Sequence, residues 1–121
     1  MAKNILIIED DEFFRELVTK ALVTAGFEVG GAIDGKRGIE KAIESKPDLI
    51  LLDLLLPDID GFEVLATVKA NPTISSVPII ILSNLSSKED IEKGLKLGAS
   101  DFLIKSQFDL DEVIVKIKSF I

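Results

Sequence analysis

A few carboxylates, one hydroxyl and one lysine carry the chemistry open to this chain. Asp53 ends the apolar run Leu49-Ile50-Leu51-Leu52, which reads as a strand buried on both faces. A carboxylate where such a strand leaves the core is desolvated on one side and open on the other. That position suits a metal ligand or a nucleophile better than a packing residue. Glu9-Asp10-Asp11-Glu12 follow another apolar run, and Ser83-Asn84 and Lys105 end two more. Each has an ordinary structural role when taken alone. Strand-end Asp and Ser are common turn or cap residues, an acidic run complements a helix start, and a lone lysine is usually surface. They make a site only if the fold brings them together.

Strand-like and helix-like segments alternate five times. Asn4 to Ile8 reads as a strand, and Glu12 to Ala25 as a helix with Phe14, Leu17, Val18, Ala21 and Leu22 inward, closed by Gly26. Phe27 to Ala32 is a weaker strand. Asp34 caps a helix from Gly35 to Ser45 with Ile39, Ala42 and Ile43 inward, and Lys46-Pro47 breaks it before the strand that ends at Asp53. Asp60 and Glu63 have capping-box spacing at the head of a helix to about Asn71. Pro78 to Leu82 is a buried strand. Ser86 and Glu89 repeat the box before a helix ending near Leu97-Gly98. Ser100 to Ile104 is the fifth strand. Asp109 to Ile121 is the last helix, with Leu110, Val113, Ile114, Ile117 and Ile121 on one face.

Five strand–helix units without hairpin signals predict an α/β fold, a parallel sheet doubly wound by helices. Right-handed crossovers leave few topologies, and the flavodoxin-like strand order 2-1-3-4-5 leads among them. The 121 residues form a single domain by this reading, 1–121, without linker or repeat. No apolar stretch approaches the roughly 18 residues of a membrane span, and no secretory pattern opens the chain; a cytoplasmic location is expected. Cysteine and histidine are both absent, which excludes disulfides, thiolate metal sites, zinc triads and an imidazole base. A net charge of −7 argues against direct nucleic-acid binding.

In that topology the first and third strands are neighbours, so Glu9, Asp10 and Asp53 converge on one crevice. Clustered carboxylates repel unless a cation joins them. With only oxygen ligands on offer, a hard cation is expected, Mg²⁺ before Ca²⁺. Ser83 and Lys105 end the fourth and fifth strands on the same edge. A metal, a carboxylate nucleophile, a hydroxyl and a lysine make a coherent phosphoryl-transfer site.

Glu9-Asp10, Asp53 with Pro57 and Asp60-Gly61, Ser83, and Gly98-Ala99-Ser100-Asp101-Phe102-Leu103-Ile104-Lys105 resemble the receiver domain of two-component response regulators, over essentially the whole chain. The resemblance implies that Asp53 is the phosphoacceptor, loaded from the phosphohistidine of a sensor histidine kinase or phosphotransfer protein. It implies Mg²⁺, with Mn²⁺ as a substitute, held by Asp10, by Glu9 through water, by Asp53 and by the Leu55 carbonyl. By the same resemblance Lys105 would contact the phosphoryl group, and Ser83 with Phe102 would form a switch that alters the surface over the fourth helix, fifth strand and fifth helix. That surface, with Val115, Asp101, Lys116 and Lys118, is the expected homodimer face.

The chain departs from the family pattern in places. Ser106 stands where proline usually follows the lysine. A cis bond before a non-proline residue costs ~2.5–4 kcal/mol, so a trans Lys105–Ser106 bond is expected. Leu56 stands where methionine is common. Asn84 replaces a small residue and narrows access to the phosphoryl group. Leu55 and Leu85 flank the crevice and cannot orient an attacking water, which implies a long-lived phosphoryl-Asp53. Two other readings compete. A phosphohydrolase with an aspartyl intermediate lacks an acid two residues after Asp53, where Leu55 stands. A non-phosphorylated adaptor would keep the pocket without using it. The leading expectation is a phosphorylation-controlled binding module, not a turnover enzyme.

Overall fold

The chain alternates β1 (Asn4–Ile8), α1 (Glu12–Thr24), β2 (Glu28–Ala32), α2 (Gly35–Ser45), β3 (Leu49–Leu52), α3 (Gly61–Ala70), β4 (Ile79–Ser83), α4 (Lys88–Lys96), β5 (Asp101–Ile104) and α5 (Leu110–Phe120). The computed structural model describes residues 2–107 and 109–121. All strand pairs are parallel, in the order β2-β1-β3-β4-β5. The expected doubly wound sheet is therefore what forms.

Successive strand side chains point to opposite faces, and in β1, β3 and β4 both sets are apolar apart from Asn4 and Ser83 at the strand ends. Leu6, Ile8, Ile50, Leu52, Ile79 and Ile81 pack with Ala42, Val64, Leu65 and Val68 of α2 and α3 on one side. Ile5, Ile7, Leu49, Leu51, Ile80 and Leu82 meet Val18 and Leu22 of α1 and Val113 and Ile117 of α5 on the other. Each such side chain contributes ~1.5–3 kcal/mol on full burial. This two-sided core holds the carboxyl edge of the sheet in place.

Local signals set the helix starts. Asp11, Asp34, Ser87 and Asp109 each accept from the amide three residues on, satisfying an amide that has no partner within the helix. Two expectations shift here. The α4 cap is Ser87, one residue after Ser86, because the Ser87 hydroxyl both accepts from the Asp90 amide and donates to its carboxylate. Asp60 caps α3 through the Phe62 amide at 2.8 Å, not through Glu63. Gly26 and Gly98 close their helices with φ of +99° and +109°, values that side chains resist.

Leu17 and Ile43, expected to face inward, are 43% and 42% exposed. The sheet covers only a narrow band of each helix. On α2 that band is filled by Gly35, Gly38 and Ala42, and a Cβ on Gly38 would lie 2.6 Å from Ile8. The helix thus sits too close to the sheet to take a larger residue there.

Candidate functional site

The backbone ladder continues one residue past several strand ends and fixes the site. The Glu9 amide donates to the Ala32 carbonyl, Asp53 to Ile8 and Lys105 to Ser83, each at 3.0 Å. Glu9, Asp53 and Ser83 are the buried polar side chains among the described residues. All three stand at the carboxyl edge of the sheet. Burying polar groups is costly unless they are paired, and here they are.

The Lys105 ammonium donates to Glu9 Oε1 at 2.5 Å and to Asp53 Oδ2 at 3.3 Å. The other Asp53 oxygen accepts from the Leu55 amide at 3.3 Å, and Glu9 Oε2 from the Asp11 amide at 3.2 Å. Burial, reinforced by the charge of Asp53, pushes the Glu9 carboxyl up to about 7 against the opposing pull of Lys105. Burial would lower the Lys105 ammonium, but its bonds to Glu9 and Asp53 outweigh that and hold it above its ordinary value. The lysine is thus a resident counter-ion for two crowded acids.

One oxygen each of Glu9, Asp10 and Asp53 lies within 4.8 Å of the others, with Asp10 on the exposed side. This all-oxygen, anionic set fits a hard divalent cation. Ser83 is fully buried, and its hydroxyl accepts from the Leu85 amide at 3.5 Å. Phe102 is 9% exposed and already lies beneath α4, against the gap left by Gly94. Asn84 and the Leu55 side chain are exposed at the rim, and Leu85 is half-buried. The Leu54-Leu55-Leu56 segment and Leu85 line one open groove there. The Lys105–Ser106 bond is trans, with no cis peptide among the described residues.

Two residues at the site were not singled out from the sequence. Arg15 Nη1 donates to the Glu9 carbonyl at 2.7 Å, which helps to hold the acidic segment. Phe14, read as an ordinary core residue, lays its ring 4.3 Å from the Lys105 ammonium. Both stand in or next to the first turn of α1, directly after the acidic segment. That position was the one available signal.

The chain matches the response regulator receiver domain over residues 5–118. It is 37% identical to the DNA-binding dual master transcriptional regulator RpaA of Synechocystis, over 98% of this chain and 48% of that protein. It is 38% identical to the response regulator ArlR of Staphylococcus saprophyticus, over 98% of this chain and 52% of that protein. It therefore spans about half the length of these two relatives. Among solved structures, the chemotaxis protein CheY4 of Vibrio cholerae superposes with a TM-score of 0.93 at 27% identity, covering both chains fully. The N-terminal receiver domain of Klebsiella pneumoniae RstA does so with a TM-score of 0.90 at 27% identity, over 97% of each chain. With its parallel order, its acids at the sheet edge and its match over nearly the whole length, this chain belongs to the family of response regulator receiver domains.

Proposed function

We propose that this domain accepts a phosphoryl group on Asp53 and uses it to change a binding surface. The observation that carries the reading is the concentration of buried polar groups, Glu9, Asp53 and Ser83, around the Lys105 ammonium. Mg²⁺, or Mn²⁺ in its place, would be held by Asp10, Asp53, the Leu55 carbonyl and, through water, Glu9, and would neutralise charge on the transferred group. An Asp53 carboxylate oxygen attacks phosphorus. The phosphorus–nitrogen bond to the donor imidazole breaks, and its electron pair stays on that nitrogen. Lys105 turns from the acids to a phosphoryl oxygen.

The donor is a sensor histidine kinase or a phosphotransfer protein in the cytoplasm. Ser83 then moves to hydrogen-bond the acyl phosphate, and the change passes to Phe102 and the α4–β5–α5 face, where partner binding or homodimerisation is set. Asn84, Leu55 and Leu85 tune access and hydrolysis. The domain, 1–121, is a switch and not a turnover enzyme. No acid stands two residues after Asp53, where a phosphohydrolase of this type would need one.

Incubation with a small acyl phosphate and Mg²⁺ tests this. The parent should take up one stable phosphoryl group per chain and Asp53→Asn none. Sustained phosphate release would favour the hydrolase, and an unlabelled parent the adaptor.

A further inference from the structure

The Lys105 ammonium has three hydrogens to place. Glu9 Oε1 and Asp53 Oδ2 accept from it on one side. The Phe14 ring covers it on another, 4.3 Å from the ring centroid, where the negative face of an aromatic attracts a cation. Only 13% of the lysine side chain is left exposed.

The ring is itself held in place. Phe14 lies in the first turn of α1, and its amide donates to the Asp11 cap at 3.1 Å. Below the carboxylates it shares a small void with Ile7, Val18, Leu51 and Leu82, so it is backed by the α1–α5 side of the core. Lys105, in contrast, ends β5, and β3 and β4 separate that strand from β1. Its long stem must reach across the ends of both to meet Glu9. The turn it enters is held by the Gln107 amide on the Ile104 carbonyl, without a proline after the lysine to stiffen it. An aliphatic residue at position 14 could fill the void but could not attract the ammonium.

We propose that Phe14 is a positioning residue for phosphoryl transfer, its ring face holding the Lys105 ammonium over Asp53 where charge develops on the transferred group. This rests on the reading of Asp53 and Lys105 given above. The ring works through the lysine.

The test compares Phe14→Leu, which keeps bulk without the π face, with Phe14→Tyr, which keeps both. Labelling of Asp53 by a small acyl phosphate with Mg²⁺ should slow about five-fold in Phe14→Leu, the size expected of a cation–π contact at a partly covered site. The half-saturating phosphodonor concentration should not change, and Phe14→Tyr should label close to the parent rate. In a Lys105→Met background, Phe14→Leu should cause no further slowing, because the two residues act as one unit. Slowing of the same size in that background would mean general packing and would overturn the proposal, as would parent-like labelling of Phe14→Leu. Parent-like labelling of Lys105→Met alone would instead overturn the phosphoryl-transfer reading on which it rests. A direct reading needs no variant to fold. The methylene protons beside the Lys105 nitrogen should show an upfield ring-current shift in the parent NMR spectrum, and ordinary lysine shifts there would also overturn the proposal.

Discussion

At the scale of single residues, the site is a balance of charge in a confined space. Glu9 and Asp53 are buried almost completely, and Lys105 is the counter-ion that makes this tolerable. Replacing the lysine would leave two acids facing each other without compensation. The rim is different in kind. The Leu55 side chain is 55% exposed, and neither it nor Leu85 offers a group that could position water for attack on an acyl phosphate. Labelled protein freed of donor should therefore keep its phosphoryl group well beyond seconds. Leu55→Asn, which places a hydrogen-bonding amide at the rim without disturbing the core, should shorten that lifetime. Loss of label from the parent within seconds would refute the idea.

At the scale of elements, the loop after β3 is clamped at both ends. Gly61 begins α3 hard against the segment that carries Asp53, the proposed phosphoacceptor. A Cβ there would lie 2.4 Å from the Leu54 Cα and 2.7 Å from the Asp53 carbonyl oxygen. Backbone cannot move aside as a side chain can, so Gly61→Ala should cost about 3 kcal/mol in denaturant unfolding. It should also slow labelling of Asp53. An unchanged unfolding midpoint would show that the loop yields.

Asp58, in the same loop, receives the Gly35 and Lys36 amides at 2.8 and 2.9 Å and so ties the loop to the start of α2. Desolvation works against the charged form. The amides of Lys36, Gly35 and Ile59, with its own, outweigh that and hold the carboxyl below its ordinary 3.8. The folded state therefore binds this proton less readily than the unfolded one. The stability it contributes is present above pH 3.8 and is lost as pH falls through the lower folded value. Asp58→Ala should melt below the parent at neutral pH, with the gap closing in strong acid. A gap that stays constant down the acid limb would rule out the carboxylate as its source.

At the scale of the whole molecule, Phe102 lies on β5 within the proposed output surface, three residues before Lys105 of the site. The part this ring can play in the expected switch is constrained by where it starts. It is already buried under α4, with a Gly94 Cβ position 3.2 Å from it. A response to phosphorylation on this side must therefore include α4, not the ring alone. On α5, Val115 is 67% exposed. The Lys116 and Asp101 side chains pair with each other at 3.3 Å, so an intermolecular partner for either must displace that bond. If the α4–β5–α5 face forms a homodimer on phosphorylation, sedimentation should show a mass increase for the labelled parent. Val115→Glu should abolish it while labelling stays normal. Equal dimerisation of the variant would place the interface elsewhere.

The path from sequence to site shows which information is local. Alternation of apolar runs with 3.6-residue periodicity, together with a cap such as Asp34, is written in neighbouring residues, because hydrogen bonds and hydrophobic spacing within one segment set them. The same runs end in Glu9, Asp53, Ser83 and Lys105, so the sheet edge that carries the chemistry was legible once the order of strands was inferred. Depth was not legible. Periodicity cannot say how wide a band of each helix the sheet will cover, which is why Leu17 and Ile43 face solvent. Nor could it reveal which non-polar neighbour meets a long side chain. The sequence by itself determined the elements, their order and the acids at the carboxyl edge. Only the tertiary structure decided that Lys105 bridges Glu9 and Asp53 beneath the Phe14 ring, because that contact joins residues about ninety positions apart and depends on how α1 and β5 pack across the sheet.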